Sequence, residues 1–171
     1  IPVDASRRNF QFSRAVVSCY SAVDRFFPTC GLFDLTEGMY RGNSEPPYEQ
    51  AQTNQLDYLL DQIQCGPGRR VLDIGCGYGS LLKRIQQRGA IGVGLTISPE
   101  QMRCCRDRNL DVYLYDHRAI PGEWDRTFDG VIANGSLEHF VRPAEAMQCC
   151  ANHAKGNFAS LNPGLALHCQ T

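Results

Sequence analysis

The sequence has no apolar run of about 18 residues, the length at which a stretch becomes a candidate for crossing a membrane. It also lacks the basic and then apolar N-terminal segment that directs secretion. We therefore expect a cytoplasmic protein with no transmembrane segment.

An excess of charge of one sign is missing as well. The 17 basic and 18 acidic residues give a formal net charge of −1, so no overall positive field attracts nucleic acid. We expect no nucleic-acid partner. The chain is 43% hydrophobic and 20% charged over 171 residues, which is typical of a globular protein with one core.

Cys-x-x-Cys pairs are absent, although the chain has nine cysteines. The odd number and the two adjacent pairs argue against a disulfide framework. The same spacing argues against a structural zinc site, so we expect no metal. Free thiols in a reducing cytosol are the simplest interpretation.

Two regions differ in their patterns. Residues 1–47 predict an irregular or shortly helical cap, and residues 48–171 predict a domain of alternating strands and helices. The domain begins with a helix over Tyr48–Gln64, whose leucines recur at helical spacing. Two further helices are predicted over Ser80–Arg88 and Arg142–Ala151, and another begins at Ser98-Pro99. The predicted strands are Val71–Ile74, Ile91–Thr96, Asp111–Tyr115, Phe128–Ala133 and Leu165–Cys169.

The first strand runs directly into the glycines Gly75, Gly77 and Gly79, and a helix follows. Glycines allow a tight turn and a close approach of backbone to ligand. The helix N-terminus behind them offers free N–H groups. A nucleotide-type ligand is therefore expected beyond the carboxyl ends of the strands, where the strand order reverses.

The spacing of this loop distinguishes two ligands. A dinucleotide site has Gly-x-Gly-x-x-Gly and an acid about 20 residues later, but here the third glycine comes one residue early and the second strand ends without a carboxylate. Asp73 precedes Gly75 by two residues, where its carboxylate can pair with the cationic amino group of an amino-acid tail. The pattern Asp-x-Gly-x-Gly-x-Gly resembles that of class I S-adenosylmethionine-dependent methyltransferases. A glycine turn without a ligand is the alternative.

Further segments narrow the resemblance to the cyclopropane-fatty-acid synthase and mycolic acid cyclopropane synthase family. They are Cys19–Phe27, Met39–Gly42, Tyr48–Gln52, Gly94–Gln101 and Gly135–Phe140. The resemblance implies an α/β Rossmann-like fold with a central parallel sheet of order 3-2-1-4-5. It also implies methyl transfer from S-adenosyl-L-methionine to the double bond of an unsaturated acyl chain.

The resemblance implies a set of cofactor-binding residues as well. Gln101 has an alternative role, because Ser98-x-x-Gln101 is also a capping box. Asp116 follows the third strand and could equally cap a turn. The implied residues are Tyr40, Asp73, Gly75, Cys76, Gly77, Gly79, Leu95, Thr96, Gln101, Asp116, His117 and Asn134.

The implied chemistry needs a base, because methyl transfer to an alkene leaves a carbocation that must lose a proton. In the family a bound bicarbonate is thought to serve, held partly by the Glu of Glu-His and by a His on the fifth strand. Glu138 and His168 match these positions. His168 could instead be a core histidine. If the acceptor is a small molecule, Glu138 or His139 would be the general base.

Two departures from the family pattern keep other functions open. The family's anion-site cysteine is replaced by Gly42, which favours a small-molecule methyltransferase without a bicarbonate site. The sequence ends at Thr171, so we expect the strands after the fifth to be missing, and a non-catalytic cofactor-binding fragment is a third hypothesis. Residues 1–33 are the candidate face for peripheral membrane contact.

Overall fold

The computed structural model describes most of the chain as helices and strands around one sheet. The described ranges are 14–31, 34, 36–42, 45–140, 142–162 and 165–170. Within them, side chains are described from residue 17 to residue 156, apart from residue 28. The α-helices in them are α1 (Arg14–Val23), α2 (Tyr48–Gln62), α3 (Ser80–Gln87), α4 (Pro99–Asp107) and α5 (Pro143–His153). The strands are β1 (Arg70–Ile74), β2 (Ile91–Thr96), β3 (Asp111–Leu114), β4 (Gly130–Asn134), β5 (Asn157–Asn162) and β6 (Leu165–Gln170).

The strands form one sheet of order β3-β2-β1-β4-β5-β6. β1 to β5 pair in parallel, and β6 pairs antiparallel with β5. This confirms the predicted order 3-2-1-4-5 and adds one strand at its edge. The order reverses between β1 and β4, so a crevice opens at their carboxyl ends.

The predicted position of the fifth strand was wrong. The segment expected to be strand five lies in β6, and the parallel fifth strand is Asn157–Asn162. Asn157–Asn162 carries an asparagine at each end and lacks the apolar run of a buried parallel strand. Its place in the sheet is set by its hydrogen-bonded pairing with β4 and β6, and not by a local signal in its sequence. At the end of this pair Asn162 lies opposite Leu165, and the two residues between them are outside the described ranges.

Side chains of β1 alternate between two cores, one on each face of the sheet. Val71 packs in the first, with the apolar side chains of α2 and α3. Leu72 and Ile74 pack in the second, with Ala146 and Cys150 of α5. Complete burial of a leucine or isoleucine side chain stabilises a fold by about 1.5–3 kcal/mol, so these two layers hold β1 and the loop that follows it in place.

Candidate cofactor and acceptor site

A cavity of about 580 Å³ lies at the carboxyl ends of the central strands. This volume is within the usual range of small-molecule sites. Tyr40, Asp73 and Gly79 do not line the described part of the cavity, and the side chain of His168 lies outside the described residues. The predicted site residues that do line it are Gly75, Cys76, Gly77, Leu95, Thr96, Gln101, Asp116, His117, Asn134, Glu138 and His139.

The glycine loop is held against β2 by its own backbone. The amides of Gly75 and Cys76 both donate to the carbonyl of Leu95, at 2.9 and 2.8 Å. Gly77 has a φ of +52°, and a Cβ at this position would meet no heavy atom within 4 Å. Its α-carbon therefore faces open space at the cavity wall, as expected for a residue that a ligand approaches closely.

Gly79 serves packing instead. It has a φ of +81°, and a Cβ there would lie 2.5 Å from Leu110 Cδ1 and 3.1 Å from Cys105 Sγ. The absence of a side chain at Gly79 lets α4 and β3 approach the loop. Gly79 does not line the described part of the cavity, although a cofactor contact was predicted for it.

Asp73 lies in β1 just before the loop and is 2% exposed. No described residue donates a hydrogen bond to its carboxyl group. Burial raises its pKa to about 8, and the neighbouring charge of Asp34 adds to the effect. Ile74, the next residue in β1, lines the cavity, as does Asp34. Asp73 is therefore a buried acid next to the cavity wall, and a cation in the cavity would stabilise its ionised form.

The Gln101 side chain faces the cavity and does not complete a capping box. Ser98 caps α4 by accepting from the Gln101 amide at 3.2 Å. The Gln101 carboxamide instead donates from Nε2 to Asp24 at 3.2 Å and accepts at Oε1 from the Thr96 hydroxyl at 2.8 Å. The alternative in which Gln101 bonds back to the Ser98 backbone was wrong, because Asp24 supplies a charged acceptor.

Asp116 caps a turn and also lines the cavity. Its carboxylate accepts from the Arg118 amide at 2.9 Å and from the Arg118 guanidinium at 2.8 Å to each oxygen. Burial raises the pKa of Asp116, but the hydrogen bonds and charge of Arg118 outweigh burial and hold it below its ordinary value. The turn-capping alternative is confirmed, while its contact with adenine stays a prediction.

His117 stacks on Phe140, with ring centroids 4.6 Å apart. Its side chain is 8% exposed, and burial lowers its pKa. The imidazole therefore remains neutral to lower pH than an exposed histidine does. A flat, neutral surface of this kind suits an aromatic ligand ring.

Glu138 and His139 lie on the same cavity wall, in a short 3₁₀ helix after β4 (Leu137–His139). Glu138 Oε1 is 4.0 Å from His139 Nε2, and the two side chains are 33% and 48% exposed. The ring of Tyr20 packs edge-on against His139, with centroids 6.0 Å apart. Burial, followed by the charge of Glu138, raises the pKa of Tyr20 and keeps its phenol neutral.

Sequence reasoning assigned no role to several cavity residues. Tyr20 stands in the matched segment Cys19–Phe27, and its position beside Glu-His was not predictable before the fold was known. Asp34 and Glu37 line the cavity from a stretch without a recognisable motif. Tyr40 lies near the start of α2, where the amide of its neighbour Met39 donates to the Ala51 carbonyl at 2.7 Å.

A family model described as mycolic acid cyclopropane synthetase matches residues 14–155. The chain belongs to this family. The match extends from α1 to the residues just before β5. It therefore covers the glycine loop, the Thr96–Gln101 pair and Glu138-His139.

Two curated relatives of this chain have names that refer to the modification of fatty acids or phospholipids. A probable fatty acid methyltransferase of Mycobacterium tuberculosis is 31% identical over 116 residues, which are 65% of this chain and 25% of that protein. The cyclopropane-fatty-acyl-phospholipid synthase of Escherichia coli is 34% identical over 96 residues, 53% of this chain and 24% of that enzyme. The matched region spans about a quarter of the length of these relatives.

Solved structures share the fold of this family member. The [4+2]-cyclase SpnF superposes with a TM-score of 0.75 at 21% identity, covering 88% of this chain and 62% of its own. A mycolic acid cyclopropane synthase complexed with SAH and CTAB gives a TM-score of 0.64 at 20% identity, covering 75% and 48%. These likenesses confirm the class I methyltransferase fold. Among the described residues, no helix is both long and apolar enough to cross a membrane.

Proposed function

We propose that this chain binds S-adenosylmethionine in the cavity and transfers its methyl group to an unsaturated acyl chain. One observation carries the proposal: Glu138 and His139 share a cavity with Gly77 of the glycine loop. A methyl donor bound at the loop would therefore lie in the same cavity as a base. The family supports the cofactor, as does the SAH complex of the related fold.

The cavity residues suit the charges of S-adenosylmethionine. The cofactor has a cationic sulfonium and a cationic amino group. Asp73 stands behind the loop, and Asp34 and Glu37 line the wall. Thr96 and Gln101 offer a hydroxyl and a carboxamide to the polar part of the ligand, and His117 offers an aromatic face. When bound, the cofactor supplies an electrophilic methyl group, and positioning is the main task left to the protein.

Glu138 is the base in this proposal. A carboxylate in the cavity wall stabilises the carbocation formed by methyl transfer to an alkene, and it can accept the proton that closes the reaction. His139, 4.0 Å away, can share that proton. Tyr20 packs edge-on against His139.

The described residues do not fit a bound bicarbonate. Gly42 has no side chain to offer an anion. The two described arginines that line the cavity, Arg118 and Arg142, pair with Asp116 and Glu145. The carboxylates of Asp34 and Glu37, which also line the cavity, would repel an anion. We therefore assign no step to bicarbonate.

A small-molecule acceptor is the second candidate function, and the same acidic wall favours it. Asp34, Glu37 and Glu138 all line the cavity, and their carboxylates could bind a polar or cationic acceptor. Glu138 or His139 would then remove a proton from an O–H or N–H nucleophile.

Mass spectrometry separates these functions. The protein is incubated with methyl-labelled S-adenosylmethionine and separate lipid and metabolite extracts, and we expect label on an unsaturated lipid. Label on a water-soluble metabolite would replace the acyl proposal with the second candidate. Cofactor binding without any labelled product would favour the non-catalytic fragment. Co-sedimentation with phospholipid vesicles tests peripheral membrane contact by residues 1–33.

The buried acid Asp73 predicts how cofactor affinity depends on pH. Its pKa is about 8 without ligand, so the carboxyl is protonated in neutral solution, while a cationic amino group binds the ionised form. SAH affinity should therefore rise by up to about tenfold per pH unit from about pH 5.5 to about pH 7.5. Asp73→Asn should flatten this dependence in calorimetry. The exposed substitution Asp107→Asn is the control.

The same group affects the stability of the unliganded protein with a defined sign. The folded pKa of Asp73 lies above the ordinary value of 3.8, so the folded state holds a proton that the unfolded state has lost. Its contribution to stability falls as the pH rises through the folded pKa.

A wild-type SAH affinity that does not change with pH would contradict the role of Asp73 in cofactor binding.

A further inference from the structure

Asp24 is a buried carboxylate that joins the N-terminal segment to the cofactor cavity. It follows α1 and is 2% exposed. Its Oδ1 accepts from the Tyr78 hydroxyl at 2.6 Å and from Gln101 Nε2 at 3.2 Å. Its Oδ2 accepts from the Ser98 hydroxyl at 2.5 Å. No described basic side chain pairs with it.

The three donors lie in the glycine loop and at the start of α4, and both of these segments line the cavity. Tyr78 is in the glycine loop and Ser98 is the N-cap of α4, while Gln101 lies in the first turn of α4. All three line the cavity, whereas Asp24 does not. Asp24 therefore acts on a ligand through other residues and stands behind the wall.

Asp24 also determines the orientation of the Gln101 carboxamide, because it decides whether the nitrogen or the oxygen faces the Asp24 carboxylate. The oxygen and nitrogen of a glutamine amide have nearly the same shape, so their order is decided by hydrogen-bond partners. Asp24 can only accept, and it selects Nε2. The Thr96 hydroxyl donates to the remaining Oε1. Thr96 can donate in this way because its own oxygen accepts from the Ser98 amide at 3.1 Å.

The hydrogen bonds of Asp24 also hold part of the cavity wall in position. Tyr20 lines the cavity one turn before Asp24, and the Asp24 amide donates to the Tyr20 carbonyl at 2.6 Å. Holding Asp24 therefore holds Tyr20 at its place beside His139. A ligand that orders the loops would also order this segment.

We propose that Asp24 is a positioning residue for the cofactor. Its carboxylate orients Gln101 and holds the N-terminal segment against the glycine loop and the start of α4. This inference rests on the proposed S-adenosylmethionine site. A carboxylate is needed because three donors converge on it. In Asp24→Asn only one oxygen accepts, and the added amide N–H₂ faces donors.

Calorimetry with SAH on four proteins tests the inference: wild type, Asp24→Asn, Gln101→Ala and the double variant. We expect each single variant to weaken SAH about tenfold. The double variant should lose clearly less affinity than the product of the two single losses, because Asp24 acts in part through Gln101. An unchanged affinity in Asp24→Asn, or a double loss near one hundredfold, would overturn the inference. A wild type that binds no SAH would refute the proposed function instead.

Hydrogen exchange on the wild type gives an independent result that does not require Asp24→Asn to fold. SAH should slow amide exchange in residues 20–30 over the same concentration range in which it binds. Exchange in that segment that stays equally fast with SAH bound would overturn the inference.

Discussion

Replacing Glu138 by glutamine should leave cofactor binding intact and reduce turnover by about 10²- to 10⁴-fold, the usual contribution of a positioned acid or base. The substitution keeps the shape of the side chain and removes its negative charge and its ability to take a proton. Glu138 lies in the cavity wall beside His139 and is not part of the glycine loop. SAH affinity by calorimetry and methyl transfer to the labelled acceptor measure the two effects separately.

The same chemical change at an exposed site is the control for this experiment. Glu123 is exposed in a short 3₁₀ helix and does not line the cavity. Glu123→Gln should therefore retain wild-type turnover. If Glu138→Gln also retains turnover, Glu138 has a structural role and the base must be sought among other cavity residues.

Replacing Gly77 by alanine should weaken SAH binding at least about 100-fold, equivalent to about 2.8 kcal/mol. A Cβ at Gly77 meets no protein atom within 4 Å, so it would occupy the space that the ligand needs. The φ of +52° adds backbone strain, with a cost of about 1–2 kcal/mol to stability. Calorimetry measures the affinity, and thermal unfolding without ligand measures the strain.

Gly68 offers a closely matched control. It has a φ of +77°, and a Cβ there also meets nothing within 4 Å, but Gly68 is exposed before β1 and does not line the cavity. Gly68→Ala should carry a similar strain and bind SAH as wild type does. If Gly77→Ala binds SAH normally, the loop is not the cofactor site.

Much of the fold was predictable because its elements carry local signals. β2 was predicted at its observed bounds, and Ser98-Pro99 begins α4 as expected, since Ser98 accepts from an amide in the first turn. The fifth strand was not predictable in the same way. Asn157–Asn162 has no apolar run, and its place in the sheet depends on pairing with β4 and β6.

The candidate site divides along similar lines. The spacing of the glycine loop and the Glu138-His139 pair were visible in the sequence, and the structure places them around one cavity. The contacts of Gln101 were not visible, because they depend on Asp24, which is 77 residues away along the chain. The contact of Tyr20 with His139 was likewise not visible, because it depends on the packing of α1 beside the 3₁₀ helix after β4.

The sequence by itself determined the parallel sheet, the cofactor loop and the family, because each depends on residues close together in the chain. Hydrophobic periodicity, glycine spacing and helix caps act over one element or one turn. The tertiary structure decided which polar groups meet. It buried Asp73 where its pKa rises to about 8, turned Gly79 to packing, and set Asp24 among three donors. Burial and hydrogen-bond satisfaction depend on distant segments, and only folding brings these segments together.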